Sequence, residues 1–211
     1  LPKERHGYDP TCGRCCDSHG WKNDIADLRR TDYKTDGVGR EIMFERFFPD
    51  EYVVSTYVIP FERLYEEGYR GVIFDIDNTL VPHGAPADDR AKKLFRRLKE
   101  IGFSSCLISN NQEERVKMFN QEIRTNYIYN AHKPSTKNYE KAMKIMGTDK
   151  TNTFFVGDQL FTDVWGAKRT GIHNILVRPI NPKEEIQIVL KRYLEKIVLH
   201  FYKKRLKNER N

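Results

Sequence analysis

The sequence has no apolar run approaching the roughly 20 residues that span a bilayer; its longest, such as Tyr52 to Phe61, fall well short. The opening residues, LPKERHGYDPTC, lack the apolar stretch of a secretory signal. These two absences point to a cytoplasmic chain. No internal repeat and no low-complexity tract is present. Cysteine is scarce: four in 211 residues. Cys12, Cys15 and Cys16 lie beside His19 in CGRCCDSHG. A CxxC followed by histidine has the ligand types of a zinc site. Adjacent Cys15 and Cys16 fit poorly into one tetrahedron, however, and no second CxxC follows, so free thiols in a reducing compartment are expected. Cys106, in FSSCLIS, reads as an inert buried thiol.

What is present suits a soluble globular protein: 38% hydrophobic and 32% charged residues, with length for one sizeable domain and appendages. The net charge of +7 is unevenly spread. Residues 1–42 balance eight basic against eight acidic side chains and hold few large aliphatics, so they read as a polar, weakly structured extension. Strong core patterning starts just after Met43, at FERFFPDEYVVSTYVIPFERL, which places a compact domain over 43–181. A native start at Met43 would make the preceding segment an upstream extension. Residues 183–211 carry nine Lys or Arg against four Glu, most of the excess charge, and 182–211 form a basic tail. Such a tail suits an anionic partner.

From Gly71 onward, short apolar strands alternate with helical patterns. The strands are GVIFD (71–75), FSSCLIS (103–109), YIYNA (127–131), TFFVG (153–157) and NILVR (174–178). This alternation predicts an α/β fold of Rossmann type: an open parallel sheet covered by helices on both faces. Ligands on such sheets bind at the carboxyl ends of strands, where Asp75, Ser109 and Asp158 fall.

Asp75 and Asp77 flank Ile76 at the end of the first of these strands. Two like charges so close need a cation or a shared proton. Hard oxygen ligands at a strand end suit Mg²⁺, which takes a few carboxylates and leaves room for phosphate oxygens. A second acidic pair, Asp158 and Asp163, follows TFFVG. Ser109, with Asn110 and Asn111, follows the second strand, where a hydroxyl and backbone N–H groups at a helix start hold phosphate oxygens. The ammonium of Lys133, in HKPS, offsets carboxylate and phosphate charge. His83, in VPHG, is a weaker candidate base, and His132 and His173 read as ordinary strand-end residues.

DIDNT, LISNN, Lys133-Pro134 and GDQLFTD, in this order, resemble the four motifs of the haloacid dehalogenase-like (HAD) phosphohydrolases. The resemblance covers residues 47 to 180. The text around the first and last motifs looks like the YqeG group, which is similar to mitochondrial phosphatases acting on phosphatidylglycerophosphate. The resemblance implies a HAD core in which Asp75 is the nucleophile that becomes an aspartyl phosphate. Asp77 would act as acid and then base, and would offer its backbone carbonyl to Mg²⁺. Asp75 and Asp158 would ligate the metal, with Asp163 supporting from nearby. Ser109, Asn110 and Lys133 would hold the phosphoryl group.

Neither the connection from the first motif to Ser109 nor the 22 residues from Asn111 to His132 leave room for a cap domain. An open site favours a large substrate or one presented on a surface. Asn181-Pro182 has the form of a helix start. Ile186, Val189, Leu190, Tyr193, Leu194, Ile197, Val198 and Phe201 then recur at spacings of three and four as one apolar stripe beside lysines and arginines. Such an amphipathic helix either packs on the domain or a twin subunit, or lies in an anionic membrane interface. Three functions follow: a phosphatidylglycerophosphate phosphatase at the inner face of the membrane; a phosphatase of a soluble nucleotide or sugar phosphate; and a non-catalytic, RNA-associated protein. The last is disfavoured, because the tail lacks aromatics for base stacking beyond Tyr202.

Overall fold

The computed structural model describes residues 45–181 and 186–209. The polar extension, its cysteines, the boundary at Met43 and the helix start at Pro182 lie outside the described residues.

Six parallel strands form one sheet in the order β1-β6-β5-β2-β3-β4. They are β1 (Glu51–Val53), β2 (Gly71–Phe74), β3 (Ser104–Ile108), β4 (Asn126–Ile128), β5 (Thr153–Gly157) and β6 (His173–Val177). The helices are α1 (Phe61–Glu66), α2 (Asp89–Ile101), α3 (Glu113–Ile123), α4 (Lys137–Met146), α5 (Trp165–Thr170) and α6 (Ile186–Glu209). The five expected strands are present, with β4 shorter than YIYNA. β1 is a sixth strand that the alternating pattern did not reveal. It pairs along β6, Glu51 opposite Ile175.

Buried strands explain the apolar runs. In β2 every residue is buried, and alternate side chains feed opposite layers. Val72 and Phe74 meet Phe61, Phe95, Leu98, Val116 and Phe119 under α1, α2 and α3. Ile73 points the other way, with Cys106, Phe155, Tyr139 and Met143 under α4 and α5. Each such side chain contributes about 1.5–3 kcal/mol by leaving water. Burial pushes the Cys106 thiol up to about 12, as befits an inert core cysteine.

The helices are bounded by ordinary capping chemistry. In α2, Asp88 Oδ1 accepts from Ala91 N (2.8 Å), and Gly102 closes the far end with φ of 109°. Between β2 and β3 stands α2 alone, and between β3 and β4 stands α3 alone, so among the described residues no cap domain is inserted at the sheet's carboxyl edge.

Of the expected stripe on α6, Leu194, Ile197, Val198 and Phe201 have described side chains. Val198 and Tyr202 are buried against Phe48, Leu160, Val164 and Leu176, and buried Glu195 accepts from Leu160 N (2.9 Å). Leu194, Ile197 and Phe201 are instead exposed. Among the described side chains of α6, the apolar positions therefore divide between a docked face and an outward face. No helix among the described residues is long and apolar enough to cross a membrane.

Candidate active site

The site starts where β2 ends. Asp75 N donates to Val156 O (2.9 Å), extending the ladder one residue and fixing Asp75 at the carboxyl edge. The chain then turns tightly. Asn78 takes φ of 62°, a left-handed conformation that asparagine tolerates better than most residues. Leu80 N bonds Ile76 O (2.9 Å) and Asn78 N bonds Val81 O (2.7 Å). The loop is buttressed by the 3₁₀ turn Thr56–Val58 that follows β1: Thr56 Oγ1 donates to Thr79 O (2.7 Å) and Tyr57 Oη to Leu80 O (2.5 Å).

Lys133 comes from the loop after β4, which is stitched to the loop after β3. Ala131 N donates to Ser109 O (2.9 Å), and Lys133 N to Asn110 Oδ1 (2.7 Å). Asn110 Nδ2 returns a bond to Lys133 O (3.3 Å). The Asn110 side chain thus holds the Lys133 backbone. Ser109 Oγ accepts from Asn111 N (3.1 Å), two residues on; the helix proper begins only at Glu113, so Ser109 is not its N-cap.

Buried Lys133 Nζ stands 2.5 Å from Asp75 Oδ1 and 2.7 Å from Asp163 Oδ1. Asp163 Oδ2 accepts from Asp158 N and Gln159 N, each at 3.1 Å, locking the loop after β5. This close approach needs Gly157, where a Cβ would lie 2.5 Å from Asp163 Oδ2. Asp158 Oδ1 accepts from Thr79 Oγ1 (3.4 Å).

Asp75, Asp158 and Asp163 are all buried, with one oxygen of each within 4.8 Å of the others. Three carboxylates against one ammonium leave about two negative charges in a low-dielectric setting. A divalent cation balances that excess, so the residues fit a metal. Without it, burial pushes the Asp75 carboxyl up to about 7; Lys133 counters this, while Asp163 and Asp77 add to it. Burial also disfavours the Lys133 charge, but the Asp163 and Asp75 carboxylates outweigh it and hold the ammonium above the lysine range.

Asp77 faces different partners. Its Oδ1 accepts from Gly84 N (2.8 Å) and Arg115 Nη2 (2.8 Å), and its Oδ2 from Asn111 Nδ2 (2.7 Å). Its carboxylate is outside the three-aspartate cluster. His83 Nδ1 is 3.8 Å from Asp77 Oδ1 and largely in solvent. Arg115, whose Nη1 is buried without a hydrogen-bond partner, was not singled out in the sequence. In QEERVKMF it reads as one more charge on an amphipathic helix.

A HAD-hydrolase-like family model matches residues 130–179, which contain Lys133, Asp158 and Asp163. The chain is 38% identical to the probable phosphatase YqeG of Bacillus subtilis, over 77% of this chain and 96% of that protein. The chain belongs to the HAD-like phosphatases, in the YqeG group. As a HAD-type phosphatase it is a phosphoric monoester hydrolase. A chloroplastic and mitochondrial phosphatidylglycerophosphate phosphatase 1 of Arabidopsis thaliana is 28% identical over 65% of this chain, but over only 45% of that protein. Glyceraldehyde 3-phosphate phosphatase of Pyrococcus abyssi is 28% identical over 40% of each chain.

Proposed function

We propose that the chain hydrolyses phosphomonoesters through a phosphorylated Asp75 with Mg²⁺ as cofactor, and that its substrate is phosphatidylglycerophosphate. The observation that carries the reading is the buried lysine shared by Asp75 and Asp163 beside Asp158. Asp75 and Asp158 would hold the metal through carboxylates and Asp77 through its backbone carbonyl. Asp163 orients Asp158 by gripping its backbone N–H. When bound, Mg²⁺ neutralises charge on the phosphoryl oxygens.

An Asp75 carboxylate oxygen attacks phosphorus as the bond to the leaving alcohol breaks. Asp77 protonates that alcohol, then takes a proton from the water that cleaves phospho-Asp75. Arg115, Asn111 and Gly84 hold the Asp77 carboxylate, so this proton transfer requires it to give up one of those contacts. Lys133 and Ser109 orient and stabilise the phosphoryl group, as a loose transition state demands.

Three features favour a lipid substrate: similarity to the Arabidopsis phosphatase, a site without a cap, and the outward face of α6. On that face Leu194, Ile197 and Phe201 are exposed, and Lys196, Lys204 and Lys207 of the same helix are exposed as well. Apolar contact plus basic charge is the combination that holds a protein at an anionic membrane surface. The test is Mg²⁺-dependent phosphate release from phosphatidylglycerophosphate in mixed micelles, beside soluble phosphomonoesters, with Asp75→Asn as blank. Preference for the lipid supports the reading. Preference for a compound such as glyceraldehyde 3-phosphate replaces the substrate and leaves the chemistry standing.

A further inference from the structure

A cleft of about 330 Å³ opens at the same edge of the sheet, beyond the ends of β1 and β6. Val54, Ser55, Thr79, Arg90, Arg178 and Ile180 line it, with Pro179 between the last two. Thr79 belongs to the cleft and to the reaction centre at once, because its Oγ1 bonds Asp158 Oδ1 (3.4 Å).

Two arginines and no acidic residue line the cleft. Neither guanidinium is ion-paired among the described residues. Arg90 lies over the Tyr57 ring, 4.1 Å from its centroid, and Tyr57 is itself held by Leu80 O. One arginine is thus oriented before any ligand arrives. Arg178 is fixed at its backbone, where its N–H donates to Val53 O (3.1 Å). Its side chain is exposed.

The polar and apolar walls are juxtaposed. Val54 is 70% exposed and Ile180 41% exposed, at the rim of a cationic cleft. Large aliphatics left in water beside two arginines match a ligand that is anionic and apolar together. Guanidinium groups suit phosphate oxygens, which they meet in a planar fork.

We propose that this cleft is a second anion subsite. Here Arg90 and Arg178 hold the phosphodiester of a glycerophospholipid whose terminal phosphomonoester lies at Asp75, while Val54 and Ile180 flank its glyceryl and acyl portion. The proposal rests on the phosphatase reading of Asp75. It explains why a site without a cap domain can still select its substrate: the selecting charge lies beside the reacting centre.

The test uses the full chain and the double variant Arg90→Gln/Arg178→Gln. One arm compares hydrolysis of two soluble monoesters: glycerophosphoglycerol phosphate, which also carries the diester, and phenyl phosphate, which does not. The ratio of their kcat/KM values should fall at least about tenfold in the variant, mostly through KM, because the lost charged hydrogen bonds are made to the diester alone. The second arm measures calorimetric binding of glycerophosphoglycerol, a diester without a monoester. Wild-type protein should bind it and the variant should not.

An unchanged ratio, or equal diester binding by both proteins, overturns the proposal. Tighter arginine-dependent binding of fructose 1,6-bisphosphate than of glycerophosphoglycerol overturns the lipid assignment. Arginine-dependent diester binding by a protein that hydrolyses no phosphomonoester supports the subsite and rejects the phosphatase reading of Asp75.

Discussion

Asp75 and Asp77 stand two residues apart in one motif, yet the fold places them in opposite surroundings. Asp75 is deep, against Lys133 and two further carboxylates, in a cluster with more negative than positive charge. Asp77 is satisfied by an arginine, an asparagine amide and a backbone N–H. The first arrangement carries an excess of negative charge that a cation would balance, and in the proposed mechanism it would hold the nucleophile. The second is complete in itself and would hold the proton carrier. One residue type is thus set in two electrostatic environments by its neighbours.

The largest effect that probes this contrast is on Asp75. Asp75→Asn should reduce turnover about 10⁴-fold or more, the scale seen when a nucleophile is removed. The same change should not destabilise metal-free protein at alkaline pH. A carboxyl raised to about 7 in the fold, against 3.8 ordinarily, contributes stability that is complete below pH 4 and lost as pH rises through 7. Thermal melts of metal-free protein between pH 5 and pH 8 should therefore show wild type losing stability relative to Asp75→Asn. Parallel curves would deny the charge imbalance.

Lys133→Met should act on activity and fold together. It strands Asp75 and Asp163 without their shared cation, a loss of about 3–5 kcal/mol for a broken buried pair. Denaturant unfolding of metal-free protein measures it, and added Mg²⁺ should restore part of the loss.

Arg115→Met should be the mildest of the three. It frees Asp77 without touching the aspartate cluster, so kcat should fall about 10²-fold, the cost of a misplaced catalytic group. The melting temperature should move far less than in Lys133→Met. A kcat loss as deep as that of Asp75→Asn would place Arg115 in direct contact with the phosphoryl group.

Most of this cluster was legible in the sequence: Asp75, Ser109 and Asp158 directly follow strands that apolar runs announce, Lys133 and Asp163 lie a few residues further on, and the motif resemblance joins them. The partners of Asp77 were not. Arg115 lies 38 residues away on a helix whose charges look like a solvated face, and nothing local marks one of them as turned inward. β1 escaped because three residues, Glu-Tyr-Val, within a long aromatic stretch show no period. The 3₁₀ turn that follows it carries Thr56 and Tyr57 to the site, a placement that exists only once β1 has paired with β6. In the described part of α6, the spacing of apolar residues did not show which of them dock and which face outward. Two adjacent apolar stripes give the same pattern as one broad stripe, and buried Glu195 is the residue that marks the docked side.

The central claim is a covalent intermediate at Asp75, and trapping it tests that claim most directly. Protein quenched during turnover of a phosphomonoester and reduced with borohydride would convert an aspartyl phosphate to homoserine, which peptide mass spectrometry locates. The account predicts homoserine at position 75 and none at 77, 158 or 163. Turnover with no modified residue, or with the label at another aspartate, would contradict it.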